Sequence, residues 1–304
     1  MPTNTPLISV CIAAYNAEKY LEATLRTVLA QTYKNWEIIV TEDGSTDRTE
    51  TFVDNFSAEV SQRVVYNRHD TNLGLPTTRN TGIASAWGEW VAFLDADDLW
   101  KPDHLDNLLS ASHIEECDAV YAGSVLYDDA TWTKLGTRAP SEGDLAGLPL
   151  ALYAGKLSIT SSAVMVKREA LARFGPFSKE FPVCSTTEYW LRILSKEGKM
   201  FYSGNSTCIY RQRSTSLSSK NEIFLAENAR LCESYSQWAA IPRSVGRSRP
   251  ADLYRQLTRA LLNENPAAAR ASLSQALRLQ PLSLEALGLW ARLFLKHNKR
   301  PRER

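Results

Sequence analysis

Short apolar runs separated by amphipathic stretches fill the first hundred residues. The clearest runs are LISVCIAAY, WEIIV and WVAFL, and residues 17–31, between the first two, place leucine and valine at helical spacing. Such alternation is typical of βαβ units, and it predicts an α/β fold with a mostly parallel central sheet flanked by helices. Because the runs are continuously apolar, we expect helices to cover both faces of the sheet.

Polar residues follow three of these runs. Tyr15 follows the core of the first run, Asp43 comes after the second, and the last run ends in DADD, which contains Asp95, Asp97 and Asp98. Ligands of open parallel sheets bind beyond the carboxyl ends of the strands. We therefore expect these side chains to share one rim that binds a ligand.

The DADD cluster needs a compensating charge or solvent. Neighbouring carboxylates repel each other and lose hydration when they are buried. A D-x-D pair at a strand end can hold Mg²⁺ or Mn²⁺, which prefer oxygen ligands and keep positions for phosphate and water. A solvated loop that caps a helix is the alternative. A calcium loop of the EF-hand type is excluded, because Trp100 stands where that loop requires glycine.

The EDGSTD segment offers a second ligand contact. Asp43 precedes Gly44 and Ser45, a turn that lets a planar ligand approach the backbone. The Asp43 carboxylate can accept hydrogen bonds from the imide of a nucleobase. An ordinary turn is the alternative for this motif taken alone.

Charge and cysteine content bear on partners and compartment. The net charge is +1, so no global basic field argues for nucleic acid. The five cysteines lie far apart without the spacing of a metal site, which favours free thiols in a reducing cytoplasm. Neither a signal-peptide pattern nor an apolar stretch of membrane-spanning length is present, so we expect a cytoplasmic protein.

Three segments in a fixed order resemble the family 2 inverting glycosyltransferases with a GT-A fold. They are AAYNAEKYLEATLRTVLAQTYKNWEIIVTEDGSTDRT, NLGLPTTRNTGIASAWGEWVAFLDADD and EYWLRI, within residues 6–218. The resemblance implies a metal-dependent, hexosyltransferase-like enzyme that uses Mn²⁺ or Mg²⁺. It would move a sugar from a nucleotide diphosphate donor, with a UDP-sugar favoured, to a hydroxyl of a saccharide or lipid-linked acceptor. Polysaccharide or glycoconjugate assembly is the expected role.

The resemblance also implies roles for individual residues. Asp97 matches the metal ligand, Tyr15 an aromatic residue near the base, and Asp43 the group that reads the base. The full set expected to bind the donor is Ala13, Tyr15, Asp43, Arg79, Asp95, Asp98, Arg211 and Arg213. Several of these residues also have an alternative role. Tyr15 could cover the end of the sheet, Arg79 could be a charge on a helix surface, and Asp98 could cap a helix. Arg211 and Arg213 could be exposed surface charges.

The catalytic base departs from the family pattern. In CSTTEYWLRI, the usual acidic position falls on Thr186, and the nearest acid is Glu188, which is our candidate base. A carboxylate that favours the helix start is its alternative role. Ser161 and Ser162 match an acceptor-side strand, or cap the edge of that strand.

Domain boundaries follow changes of pattern. We expect residues 1–220 to form the GT-A domain, with residues 1–100 as its nucleotide-binding half and residues 101–220 as its acceptor half. Residues 221–304 are expected to form a separate helical region and the surface of a homodimer.

The last helix ends in the basic sequence KHNKRPRER. An apolar stripe in this helix predicts packing as core, and its residues are Leu284, Leu287, Leu289 and Leu293. Peripheral contact with an anionic membrane is the alternative.

Two other functions compete with sugar transfer. The threonine at position 186 would suit a nucleotide-sugar binding module with weak or absent catalysis. A sugar nucleotidyltransferase ranks last, because AAYNAEKY lacks the glycine-rich, basic loop that grips a triphosphate.

Overall fold

The computed structural model describes residues 5–114, 116–213 and 221–297. The chain forms two compact units, Met1–Arg213 and Ser214–Arg304. The first unit is α/β, and the described part of the second is helical.

Over its described residues, the first unit contains one sheet of nine strands. The strands are β1 (Ile8–Ala14), β2 (Trp36–Glu42), β3 (Val64–Arg68), β4 (Trp90–Asp95), β5 (Leu99–Trp100), β6 (Ala119–Asp128), β7 (Lys134–Arg138), β8 (Val164–Lys167) and β9 (Met200–Gln212). The helices are α1 (Leu21–Leu29), α2 (Thr49–Glu59), α3 (Leu75–Ala84), α4 (His104–Ile114), α5 (Glu142–Ala146), α6 (Leu148–Tyr153), α7 (Arg168–Phe174) and α8 (Ser185–Ser195).

The sheet order is β3-β2-β1-β4-β8-β6-β9-β5, and β7 pairs with β6. Strands β1 to β4 pair in parallel, as the alternating pattern predicts, and β6 pairs in parallel with β9. Strand β8 runs antiparallel to both β4 and β6, so the complete sheet is mixed. The parallel half of the sheet, β1 to β4, therefore continues into a second half that contains antiparallel strand pairs.

Residues 159–167 are an apolar run, which predicts a strand, but the strand that forms there is shorter. Ser161–Ala163 form a 3-10 turn, and β8 begins only at Val164. The hydroxyl group of Ser162 bonds to the acidic turn after β4, which holds this segment out of the regular ladder. The irregular pattern of residues 128–150 predicts a loop-rich segment, but this segment contains β7, α5 and the start of α6.

Continuous burial along the central strands creates the core. Every residue of β2 is buried, and β1 and β4 are buried except for one position each. Helix α1 buries Leu21, Leu25 and Val28 against the sheet, as the helical spacing predicts. This packing fixes the carboxyl ends of the strands relative to one another.

The second unit consists, over its described residues, of α9 (Asn221–Tyr235), α10 (Arg243–Leu261), α11 (Pro266–Leu279) and α12 (Leu284–His297). Leu289 and Leu293 are buried as expected, together with Ala286. The expectation was wrong for Leu284 and Leu287, which are exposed. Positions 286, 289 and 293 lie on one helical face, and positions 284 and 287 point away from it. The basic residues 298–304 lie outside the described residues.

Across the described residues, no helix combines the length and apolarity needed to cross a bilayer.

Candidate functional site

The carboxyl ends of β1, β2 and β4 meet at one rim. The strand register pairs Ala13 with Asp95 on one side and Ala14 with Glu42 on the other. The backbone amide of Asp43 donates to the carbonyl oxygen of Ala14 at 2.9 Å. Parallel pairing therefore brings together the residues that follow the three apolar runs.

Asp43 organises the loop before α3. Its carboxylate accepts hydrogen bonds from the backbone amides of Leu73 and Gly74, at 2.8 and 2.9 Å, and from Nδ1 of His69 at 2.8 Å. A carboxylate has about four acceptor positions, so about one remains for a ligand. The buried Asp43 thus has a structural role and keeps about one acceptor position free of these three bonds.

The turn after Asp43 depends on glycine. Gly44 has φ +71°, and a Cβ atom there would lie 2.6 Å from the carbonyl carbon of Thr71. Tyr15 is 53% exposed on the neighbouring loop, and Leu73 is also exposed. Two apolar side chains therefore stand open to solvent on loops that meet at Asp43, which suits a planar ligand.

Arg79 is a buried cation at the centre of the site. On α3, its Nη2 donates to Oδ1 of Asp95 at 2.8 Å and to Oγ of Ser161 at 2.7 Å. Its Nη1 donates to Oγ1 of Thr186 at 2.9 Å. The side chain therefore joins the strand end to the 3-10 turn and to α8. The surface-charge alternative for Arg79 is wrong.

Asp98 supports the acidic turn from inside the fold. Its carboxylate accepts hydrogen bonds from Oγ of Ser162 at 2.5 Å and from the amide of Arg211 at 3.0 Å. Burial raises the pKa of Asp98 well above its ordinary value, and repulsion from Asp97 and Asp95 adds to the rise. At 1% exposure the side chain holds the 3-10 turn before β8, and strand β9, to the acidic turn.

Asp97 forms an ion pair with Arg213. Nη2 of Arg213 lies 2.5 Å from Oδ2 of Asp97, and the two side chains are 29% and 20% exposed. Burial raises the pKa of Asp97, Arg213 opposes the rise, and Asp95 adds to it. Asp95 and Asp97 are therefore each paired with an arginine, through Arg79 and Arg213 respectively.

This acidic turn fits a cation that is bound together with phosphate. Asp95 and Asp97 are more exposed than Asp98, and they provide oxygen ligands. The described residues include no cluster of three or more His, Cys, Asp or Glu that would hold a metal by itself. Mg²⁺ commonly binds through one or two carboxylates together with substrate phosphates, so this donor set is sufficient.

Glu188, the candidate base, lies in the first turn of α8 and is 6% exposed. Its carboxylate accepts a hydrogen bond from Nη2 of Arg192 at 2.8 Å, and Nη1 of Arg192 donates to the carbonyl of Phe174 at 3.1 Å. Thr186, also on α8, accepts a hydrogen bond from the Arg79 guanidinium, which donates a second one to Asp95. Sequence reasoning missed these Arg79 contacts, which no local motif encodes.

Arg211 and Arg213 both reach the acidic turn. Arg211 binds Asp98 through its backbone amide, and its guanidinium lies 3.8 Å from Oδ1 of Asp129. Both guanidinium groups lie over the Tyr20 ring, at 5.4 and 5.1 Å from its centroid. The surface-charge alternative is wrong for both, because these side chains are largely covered. Residues 214–220, which follow Arg213, lie outside the described residues.

Comparison with known proteins agrees with this geometry. A family model described as Glycosyl transferase family 2 matches residues 9–175, more than half of the chain. The Escherichia coli protein WfaP, a UDP-Glc:alpha-D-GlcNAc-diphosphoundecaprenol beta-1,3-glucosyltransferase, is 30% identical over 192 residues, which are 62% of this chain and 71% of that protein. Against other curated glycosyltransferases, the match spans 38% to 53% of their length.

Solved structures confirm the fold. S. aureus TarS 1-349, in complex with UDP-GlcNAc, superposes with a TM-score of 0.62 at 16% identity, covering 94% of this chain and 79% of that one. The mannosyltransferase PcManGT from Pyrobaculum calidifontis, in complex with GDP-Man and Mn2+, gives a TM-score of 0.62 at 20% identity over 99% and 83% of the two chains. The expected GT-A type α/β fold is confirmed, and the chain belongs to glycosyl transferase family 2.

Proposed function

We propose that this protein is an inverting glycosyltransferase that moves a sugar from a nucleotide diphosphate donor to an acceptor hydroxyl in polysaccharide or glycoconjugate assembly. The observation that carries the proposal is the DADD turn beyond β4, which lies on the same rim as Tyr15 and Asp43. WfaP and TarS, whose names or complexes include UDP-sugars, support a UDP-sugar as the favoured donor.

The base and the diphosphate of the donor would occupy different parts of the rim. Tyr15 covers one side of the base and Asp43 reads its edge. Arg211 and Arg213 then face the diphosphate, for which guanidinium groups have suitable geometry. Arg79 holds Asp95 in place by a partly buried hydrogen bond, so the rim keeps its shape as ligands exchange.

Asp97, with Asp95 beside it, would hold Mn²⁺ or Mg²⁺. When it is bound, the cation supplies positive charge that balances the leaving diphosphate. The PcManGT complex with Mn2+ supports this assignment. Most of the catalytic contribution of the chain is then positioning and electrostatic stabilisation of the leaving group.

Removal of the metal carboxylate tests the proposal. We expect Asp97→Ala to abolish metal-dependent binding of UDP-sugars in calorimetric or thermal-shift titrations with and without Mn²⁺. Asp103→Ala, which changes an exposed acid after the same turn, should bind as wild type does. Wild-type protein that binds no UDP-, GDP- or dTDP-sugar under any of these conditions would overturn the proposal.

Glu188 is the proposed base that removes the proton of the acceptor hydroxyl. Its ion pair with Arg192 orients the carboxylate at the start of α8. The buried pair and the threonine at 186 also favour a second candidate function, a nucleotide-sugar binding module without transfer. Donor binding without turnover across a broad panel of acceptors would identify that module.

A peripheral contact with anionic membrane is a further part of the proposal. Leu282, Leu284 and Leu287 are exposed at the start of α12, and the sequence after this helix is basic. Apolar side chains near basic residues bind anionic interfaces, where each basic residue adds about 1 kcal/mol. Co-sedimentation with phosphatidylglycerol vesicles should exceed that with phosphatidylcholine vesicles, and equal recovery would refute the contact.

A further inference from the structure

Trp132 has a backbone conformation that is rare for a bulky residue. It lies between β6 and β7 with φ +54° and is 45% exposed. The left-handed region costs an L-residue about 1–2 kcal/mol. The turn is held firmly, because Oδ1 of Asp128 accepts from the amides of Ala130 and Thr131, and the amide of Trp132 donates to the Asp128 carbonyl. An exposed indole held in strained backbone points to a function outside the core.

The indole lies on a platform formed by two strands. Its ring stacks on Tyr127 with centroids 5.0 Å apart and planes inclined by 24°. The guanidinium of Arg211 lies 4.7 Å from the same ring. Strands β6 and β9 pair Tyr127 with Arg211, so both side chains project from one face of the sheet. Trp132 covers both of them and presents its remaining surface to solvent.

This platform adjoins the acidic turn. The amide of Arg211 donates to Asp98, and its guanidinium also lies over the ring of Tyr20. The hydroxyl group of Tyr20 donates to Oδ2 of Asp129 at 2.6 Å. One arginine therefore separates the exposed indole from the turn at which the diphosphate of the donor is proposed to bind.

Polar groups lie close to Arg211, whose guanidinium contacts the exposed indole. Asp129, three residues after the end of the buried part of β6, accepts from Tyr20 and from Nζ of Lys19 at 3.1 Å. A pyranose ring combines an apolar face of C–H groups with hydroxyl groups at its edge. An aromatic surface beside charged hydrogen-bonding groups matches both features.

We propose that Trp132, Tyr127, Tyr20, Arg211 and Asp129 form a shelf that binds a pyranose of the acceptor saccharide, with its C–H face on Trp132. The inference rests on the proposed function and deepens it, because it assigns the acceptor to a saccharide and locates its binding site. The base of the donor lies elsewhere, at Tyr15 and Asp43, and Arg211 is the residue that the two sites share, so substitutions of Trp132 should change acceptor affinity more than donor affinity.

Direct sugar binding tests the shelf. The full chain is labelled with 5-fluorotryptophan, and the ¹⁹F resonance of Trp132 is assigned with Trp132→Phe. Methyl glycosides of glucose, galactose, mannose and N-acetylglucosamine, in both anomers, are titrated in the presence of UDP and Mn²⁺. We expect at least one glycoside to shift the Trp132 resonance saturably, and calorimetric titration to show that Trp132→Ala weakens binding of that glycoside by more than about tenfold. Trp132→Phe should retain most of the affinity.

Trp87 provides the matched control. It is 66% exposed and also has an arginine over its ring, with Cζ of Arg63 at 3.5 Å, but it precedes β4, at the opposite end of that strand from the acidic turn. Trp87→Ala should leave glycoside binding unchanged. UDP-sugar affinity should fall in Trp132→Ala by no more than about fivefold, the value of one exposed cation–π contact.

The outcomes separate the shelf from the proposed function. Absence of a Trp132 shift with every glycoside at high millimolar concentration overturns the shelf. A larger loss of UDP-sugar affinity than of glycoside affinity in Trp132→Ala also overturns it, since Trp132 would then serve the donor. Glycoside binding at Trp132 in a protein that binds no nucleotide sugar supports the shelf and overturns the proposed function.

Discussion

Replacement of Arg213 by glutamine tests whether the Arg213 guanidinium and a divalent metal ion compete for Asp97. In the structure the guanidinium of Arg213 neutralises Asp97, at 2.5 Å. A divalent ion that binds Asp97 would have to displace the Arg213 guanidinium. The displaced guanidinium would then bind the diphosphate of the donor. Arg213→Gln should therefore strengthen binding of Mn²⁺ alone and weaken binding of UDP in saturating Mn²⁺.

The two effects have different sizes. An ion pair exposed to this degree contributes about 1 kcal/mol, so its removal should raise Mn²⁺ affinity about fivefold. A hydrogen bond to a charged group contributes about 1.5–3 kcal/mol, so UDP affinity should fall about ten- to a hundredfold. Free Mn²⁺ is counted by electron paramagnetic resonance, and UDP binding is measured by calorimetry.

Arg138→Gln is the control, because Arg138 is an exposed arginine that lies 5.3 Å from the Tyr210 ring. It should change neither affinity. Equal or weaker Mn²⁺ binding in Arg213→Gln would refute the idea that Arg213 competes with the metal. Unchanged UDP binding would refute the idea that the Arg213 guanidinium binds the diphosphate once the metal has displaced it.

Three further predictions address the base, the core and the turn. Glu188→Gln should lower the transfer rate by about a hundred- to ten-thousandfold at unchanged donor affinity; full steady-state activity in this variant would place the base elsewhere. Burial lowers the pKa of His104 from 6.5 to about 3. Below about pH 6.5 the unfolded chain therefore binds a proton at His104 that the folded chain does not bind. The free energy of unfolding should decrease as pH falls, by about 2 kcal/mol between pH 7 and pH 5 from this residue. Urea unfolding should show a correspondingly shallower pH slope for His104→Asn, and an identical slope would contradict the assignment. Gly44→Ala should destabilise the fold by about 1–3 kcal/mol, because its φ is positive and Thr71 backbone atoms lie in the way. Gly136→Ala, with no atom near the added methyl group, should have a much smaller effect in the same thermal melts.

Much of the rim could be predicted because strand ends are local features. Continuous apolar runs specify buried parallel strands, and the register of β1, β2 and β4 then aligns whatever follows them. Tyr15, Asp43 and the DADD turn were located in this way. Helical periodicity was less informative in α12, where it predicted an apolar stripe but not which half of that stripe would be buried.

The sequence by itself determined the α/β pattern and the order of the polar residues at the rim, since both depend on neighbours within one or two turns of chain. Only the tertiary structure decided that Arg79 joins Asp95 to Thr186, that Asp98 is enclosed by Ser162 and Arg211, and that Trp132 covers Arg211. Those contacts join residues that are distant in the chain. Periodicity states which face of an element is apolar, whereas packing of the whole sheet selects the partner that each polar side chain meets.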